Sequence, residues 1–196
     1  MSKPERILKA ALEVIAEKGP HETTIDEIAQ RAGVAKGTVY LYFKNKDSLL
    51  ASLMQVGLDA FDSAVRRRVA LHTEPLEQLR ALIEEHVTQM HNHVKFGKII
   101  WSQTSHATLP PDLKDVFRDR ARSYVDLLST ILERGQDCGS MQVLDTRMTA
   151  RAIIGSMNQA VFDFTDPDFS SGTDCKTIIE SIIFFIFNGV IKSGGN

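Results

Sequence analysis

A chain of 196 residues with 43% hydrophobic side chains is long enough to bury a sizeable core, as one large domain or as a small domain fused to a larger one. Its net charge of −2 and pI near 6.3 exclude a protein that coats nucleic acid through a bulk positive field, so any contact with DNA must be local. Residues 1–50 hold eight Lys and Arg against seven Asp and Glu, a net +1, and the remainder holds fifteen against eighteen, a net −3. That asymmetry favours an N-terminal contact with DNA.

The first predicted element is a helix over about 4–18. Ser2 and Glu5 form an S-x-x-E capping box around Pro4, and Ile7, Leu8, Ala11 and Ile15 recur at helical spacing until Gly19-Pro20 stops the pattern. Thr23 to Phe43, TTIDEIAQRAGVAKGTVYLYF, then reads as two short helices joined by a tight turn. Thr24 caps the first with Glu27 reaching back to it. Ile25, Ile28 and Ala29 share a face, and Gly33 supplies the φ > 0 that ends the helix. Ala29 presents only a methyl group where the next helix must cross closely, with Val34 and Val39 as apolar contacts, which is helix-turn-helix spacing. In the second helix, about Lys36 to Leu41, inward-pointing Val39 and Phe43 leave Lys36, Thr38, Tyr40 and Tyr42 toward solvent, and Gly37 lets the backbone come close to a partner. A cation, a hydroxyl and two phenols around bare backbone suit phosphates and base edges. The competing reading is an ordinary αα-hairpin with a polar face, and two exposed tyrosines argue against it.

The run T-T-I-D-E-I-A-Q-R-A-G-V-A-K-G-T-V-Y-L-Y-F-K-N-K-D-S-L-L resembles the DNA-binding domain of the TetR (tetracycline-repressor) family of transcriptional regulators, over about residues 5–55. The resemblance implies an all-α protein with a helix-turn-helix domain at 1–48 and a helical ligand-binding and dimerisation domain at 49–196. Two departures stand out. Ala35 replaces the Ser or Thr common before Lys36, removing a hydroxyl worth about 1 kcal/mol as a cap. Asp47 stands where Glu is common after Lys46, keeping the acid. The expected DNA-contacting residues are Thr24, Lys36, Gly37, Thr38, Tyr40, Tyr42 and Lys46. Lys36 and Thr38 are expected to read bases, and Tyr42 and Lys46 to grip phosphate.

Asn45 caps the next helix, with Leu49, Leu50, Leu53 and Met54 on its buried side, and no Gly- or Pro-containing loop separates it from the DNA-binding segment. An uninterrupted helix from Lys46 to about Leu71 would carry displacement of its far end to the recognition helix. His72-Thr-Glu-Pro75 breaks the chain. An amphipathic helix follows to about Val94, then a shorter one from Phe96 to Thr104, a break at Leu109-Pro110-Pro111, and a long helix from Asp112 to about Gln136 that ends near Gly135 and Gly139. Helices over 146–164 and 174–191 flank a turn-rich 165–172, for about nine helices and no convincing strand. The last helix, TIIESIIFFIFNGVI, is apolar nearly all round and asks for cover on every side. Ala152 and Gly155 beside Phe184 and Phe185 are the expected twofold interface, because the resemblance implies that the last two helices of each subunit pair into a four-helix bundle.

Catalytic and metal chemistry find no support. His86, His91 and His93 are the densest histidine group, yet on a helix His91 lies about 140° from His86, so H-x-x-x-H and H-E-x-x-H geometries are absent. There is no G-x-S-x-G, P-loop or dinucleotide glycine fingerprint. Cys138 and Cys175 lack C-x-x-C spacing and read as reduced thiols of a cytoplasmic protein. MSKPERIL has no apolar signal-peptide region, and Ile178 to Ile191 falls short of the roughly 20 apolar residues that span a bilayer. Met90, His93, Phe96, Trp101, Phe117 and Tyr124 instead offer apolar walls with a few polar tips on three successive helices, which suits a small-molecule pocket. The sequence therefore reads as a dimeric regulator, most simply a repressor that occupies a palindromic operator and leaves it when a small-molecule inducer fills the second domain. No cofactor or metal is implied. The alternatives are a regulator with no small-molecule inducer and, from a different class, an all-α enzyme or metal protein.

Overall fold

A computed structural model describes residues 1–92, 111–164 and 174–190, which form eight α-helices and no strand. In chain order they are α1 (Lys3–Glu22), α2 (Ile25–Ala32), α3 (Lys36–Tyr42), α4 (Lys46–Val69), α5 (Pro75–Asn92), α6 (Pro111–Asp137), α7 (Thr146–Phe164) and α8 (Cys175–Val190). The predicted helix at 96–104 and the predicted turn at 165–172 lie outside the described residues. The described residues divide into two compact units. The first comprises Met1–Asp59 with the start of α6 as far as Phe117, and the second comprises residues from Ala60 onward with the rest of α6, α7 and α8. The division falls inside α4, which is one continuous helix.

Local signals in the first unit act as the spacing predicts. Ser2 and Glu5 close their capping box at the start of α1, and the helix is broken at Gly19, whose φ of 84° leaves the helical region just before Pro20. Thr24 and Glu27 close a second box, and Gly33 adopts φ 65° to end α2. Its N–H donates to the Gln30 carbonyl at 3.1 Å, and that of Val34 donates to the Ala29 carbonyl at 3.0 Å. These two bonds satisfy carbonyls that the helix end would otherwise leave open. A Cβ at Gly33 would also sit 3.2 Å from the Arg6 guanidinium, which donates to the Ala32 carbonyl and ties α1 to the turn. Ile7, Ala11, Ile15, Ile28, Ala29, Val39, Phe43, Leu49 and Leu53 form one buried cluster, so α1 covers the helix-turn-helix and the start of α4 extends the same core.

The second unit is built on α5, which packs against α7 and α8. Its core joins Val65 and Val69 of α4, Leu79, Leu82, Ile83 and Val87 of α5, Leu128, Ile131 and Leu132 of α6, Ile153 and Met157 of α7, and Ile178, Ile182 and Ile186 of α8. The isoleucine face of α8 is thus buried within the chain itself. Covering α8 needs a second subunit less than its composition implies, because its uncovered apolar surface narrows to Phe184 and Phe185, 73% and 69% exposed. α6 ends where Gly135 passes under Met141. A Cβ there would lie 2.5 Å from the Met141 sulfur, and the Gly135 carbonyl accepts from the N–H groups of Ser140 and Met141.

Candidate nucleic-acid interface

α3 is seven residues long and is held by very little of itself. Val39 is fully buried and Phe43, just past its end, is 7% exposed, so these two side chains anchor the helix, and the remaining positions other than Thr38 are exposed. Tyr40 and Tyr42 are each 48% exposed and Leu41 is 81% exposed. Gly37 lies open, with nothing within 4 Å of where a Cβ would be, and Thr38 is half-buried. Ala35 precedes the helix with no side-chain bond to its N-terminal N–H groups, as the missing hydroxyl predicts. The bare helix end, hydroxyl and two phenols thus share one short element with apolar anchors on its other side. This surface can present donors to acceptors on base edges and phosphates.

The three lysines of this region differ in what holds them. Lys36 Nζ donates to Asp26 Oδ2 at 2.8 Å, which raises its pKa from the usual lysine value through that bond and the charge behind it. Lys46 Nζ is tied to main chain, donating to the carbonyls of Thr23 at 2.8 Å and His21 at 3.1 Å. It therefore joins the start of α4 to the α1–α2 connection, a structural task that the sequence does not reveal. Lys44, in the bend after Phe43, is exposed and has no partner among the described residues. Sequence reasoning passed over Lys44, although its position beside Tyr42 and directly after the recognition helix was a usable signal. Thr24 spends its hydroxyl on the capping box with Glu27, whose carboxyl lies far below the usual carboxylate range because Lys18 and then Thr24 donate to it. Asn45 caps α4 by accepting from the Ser48 N–H at 2.8 Å.

Three of the six expected ligand residues are described. His93, Phe96 and Trp101 lie outside the described residues. Phe117 packs with Met54 and Ala51 in the first unit, whereas Met90 lies against the second unit's core and Tyr124 is buried in that core. The phenol of Tyr124 is used internally. His86 Nδ1 meets Tyr124 Oη at 2.9 Å, and His86 Nε2 meets Asn158 Oδ1 at 2.9 Å. The amide oxygen only accepts, so Nε2 carries the proton and Nδ1 accepts from the tyrosine. Phe61 stacks edge-on against the same imidazole at 5.1 Å. His86 is therefore a satisfied core histidine, and burial depresses its pKa to about 4. The second unit also carries an open cavity of about 980 Å³ between α5 and α8, lined among others by Arg68, Arg80, Lys176, Ile183, Phe184 and Phe187. Glu84, Glu85 and Glu180 balance its three cations. Among the described residues no cluster of three or more His, Cys, Asp or Glu is placed to hold a metal, and no helix is long and apolar enough to cross a membrane.

Comparison with known proteins agrees with this architecture. The model for bacterial regulatory proteins of the tetR family matches residues 7–53, spanning α1 to α3 and the start of α4, and the model for the tetracyclin repressor-like C-terminal domain matches residues 72–162. The chain belongs to the TetR family. It is a DNA-binding transcriptional regulator with an N-terminal helix-turn-helix domain and a helical C-terminal domain. Among TetR-family relatives, the fatty acid metabolism regulator protein of Bacillus subtilis is 27% identical over 186 residues, 94% of either chain. The structure of the fatty acid degradation regulator FadR from Bacillus halodurans matches with a TM-score of 0.83 at 29% identity, covering 96% of both chains. FadR from Bacillus subtilis in complex with stearoyl-CoA matches with a TM-score of 0.82 at 27% identity, covering 94% of this chain and 98% of that one.

Proposed function

We propose that this TetR-family protein is a cytoplasmic repressor that binds a palindromic operator as a twofold dimer and leaves it when a long-chain acyl-coenzyme A enters the helical C-terminal domain. The observation that carries the DNA half is α3, a helix anchored by Val39 and Phe43 with Gly37, Tyr40 and Tyr42 open to a partner. Lys36 and Thr38 are assigned to base edges. Tyr42, Lys44 and the remaining donor of Lys46 are assigned to phosphate, with Tyr40 on a thymine methyl or phosphate and Thr24 at the margin of the footprint.

Support for the acyl-coenzyme A half is the likeness, over nearly the whole chain, to a regulator solved with stearoyl-CoA. Support for the dimer is the exposed pair Phe184 and Phe185 on α8 and the open Ala152 and Gly155 on α7, where a Cβ on Gly155 would meet nothing within 4 Å. Burying a phenylalanine is worth about 1.5–3 kcal/mol, so pairing these faces is a substantial driving force. The domain division is proposed as 1–48 for DNA binding and 49–196 for ligand and partner. The test is to select duplexes from a random-sequence pool with the purified protein and titrate the selected duplex with stearoyl-CoA, coenzyme A and stearate. A palindromic consensus released by stearoyl-CoA is expected; absence of sequence enrichment overturns the DNA half, and unchanged affinity with stearoyl-CoA overturns the ligand half.

A further inference from the structure

Lys36 opens α3, at the end of a helix where its dipole disfavours a cation, while Asp26 lies in the first turn of α2, where the dipole favours an anion. The carboxylate of α2 is therefore stable in its place and the ammonium of α3 comes to it, at 2.8 Å. Both side chains are more than half exposed, so the pair contributes little to folding. Its effect falls on what Lys36 offers to DNA. A lone ammonium attracts every phosphate along a duplex alike, but an ammonium paired with a carboxylate is neutral at a distance and adds nothing to counterion release. An ammonium has three N–H donors, and Asp26 occupies one. Two remain, which matches the two major-groove acceptors, N7 and O6, of a guanine.

We propose that Asp26 is a positioning residue for base recognition: by holding Lys36 through one N–H it keeps the ammonium off the phosphates and aims its other donors at a base edge. Discrimination between operator and other DNA then depends on the pair and not on Lys36 alone. This rests on the reading of Lys36 as a base contact. Lys44 is the natural contrast, an exposed cation two residues beyond the helix that no carboxylate withholds from phosphate among the described residues.

The experiment measures affinity by fluorescence anisotropy over a range of salt concentrations, for the selected operator duplex and a scrambled duplex of the same composition. The proteins are the wild type, Asp26→Asn, Asp26→Glu, Lys36→Met and the Asp26→Asn/Lys36→Met double variant. For Asp26→Asn the expected result is several-fold tighter binding of scrambled DNA, a salt slope on that DNA steeper by about 0.9 per protomer as Lys36 turns to phosphate, and an operator-to-scrambled ratio lowered at least fivefold. Asp26→Glu should keep most of the ratio. With Lys36→Met present, Asp26→Asn should change neither ratio nor slope, because its action runs through Lys36. If Asp26→Asn leaves the ratio unchanged while Lys36→Met lowers it, the base contact stands and the role of Asp26 is overturned. Equal effects of Asp26→Asn with and without Lys36→Met overturn it too, since they would show only the loss of a negative charge near DNA. If Lys36→Met itself leaves the ratio unchanged, the base contact fails and the positioning role fails with it.

Discussion

His86, Lys46 and Gly33 show how single residues carry this architecture. The imidazole of His86 is buried between Tyr124 and Asn158, and its pKa of about 4 lies below the unfolded value near 6.5. Between those values the unfolded chain binds the proton and the folded chain does not, so the neutral-imidazole contribution is complete above about pH 6.5 and is lost as pH falls toward 4. The loss at the acid end is on the order of 3 kcal/mol. Melting temperatures between pH 7.5 and 4.5 should fall steeply for the wild type and less steeply for His86→Gln; parallel curves would contradict the assignment. Lys46 and Lys44 separate by the same logic. Lys46→Ala strands the carbonyls of His21 and Thr23 and should cost about 1 kcal/mol of stability along with DNA affinity, a loss visible in denaturant melts. Lys44→Ala should leave stability alone and make log K less steep in log salt by about 0.9 per protomer on any duplex. At Gly33, φ of 65° and the nearby Arg6 guanidinium make Gly33→Ala destabilising by about 1 kcal/mol or more.

Among the helices, α3 and α8 are the two whose exposed faces ask for partners outside the chain. α3 hides Val39 and Phe43 and leaves its other side to DNA, so Val39→Ala should loosen the recognition helix and lower operator affinity before it unfolds the protein. α8 hides its isoleucines in the second unit and leaves Phe184 and Phe185 outside, and the small Ala152 and Gly155 of α7 are exposed as well. Gly155 is exposed and has room for a Cβ within the protomer, so Gly155→Arg is the substitution that tests the proposed interface with the least local cost. Sedimentation of Gly155→Arg and Phe184→Glu should show folded monomers that have lost tight operator binding; a soluble variant that stays dimeric would place the twofold interface elsewhere.

At the scale of the whole molecule, the proposed ligand and the operator must act on each other. Two recognition helices reading successive major grooves have to lie about 34–36 Å apart, so a shift of a few ångströms breaks simultaneous contact. α4 runs unbroken from Lys46 to Val69. On the proposed mechanism this helix is the element that would carry the shift. Moving operator occupancy from 99:1 to 1:99 requires about a 10⁴-fold ligand preference for the released state, and operator DNA must weaken ligand binding by the same factor. Calorimetry of stearoyl-CoA binding with and without the selected duplex measures this directly, and equal affinity in the two conditions would remove acyl-coenzyme A as the inducer.

Local chemistry was enough to define the helix-turn-helix. Capping boxes at Ser2 and Thr24, the left-handed Gly33, the break at Gly19-Pro20 and the apolar spacing of Ile25, Ile28 and Val39 act within a few residues of one another, so the order of letters alone determines where those helices start, stop and cross. The same holds for the caps at Asn45 and the breaks before Pro75 and after Gly135. Tertiary structure decided what distant side chains do. Nothing in the spacing of Lys36, Lys44 and Lys46 says that one lies on a carboxylate ten residues away, one on main-chain carbonyls more than twenty residues away, and one on neither. Tyr124 reads as a polar tip until His86, thirty-eight residues earlier, meets its hydroxyl, and the spacing of Phe117 does not say that it packs with Met54. Short-range hydrogen bonding and backbone sterics are written along the chain, whereas the pairing of charges and the burial of polar groups depend on which elements meet in space.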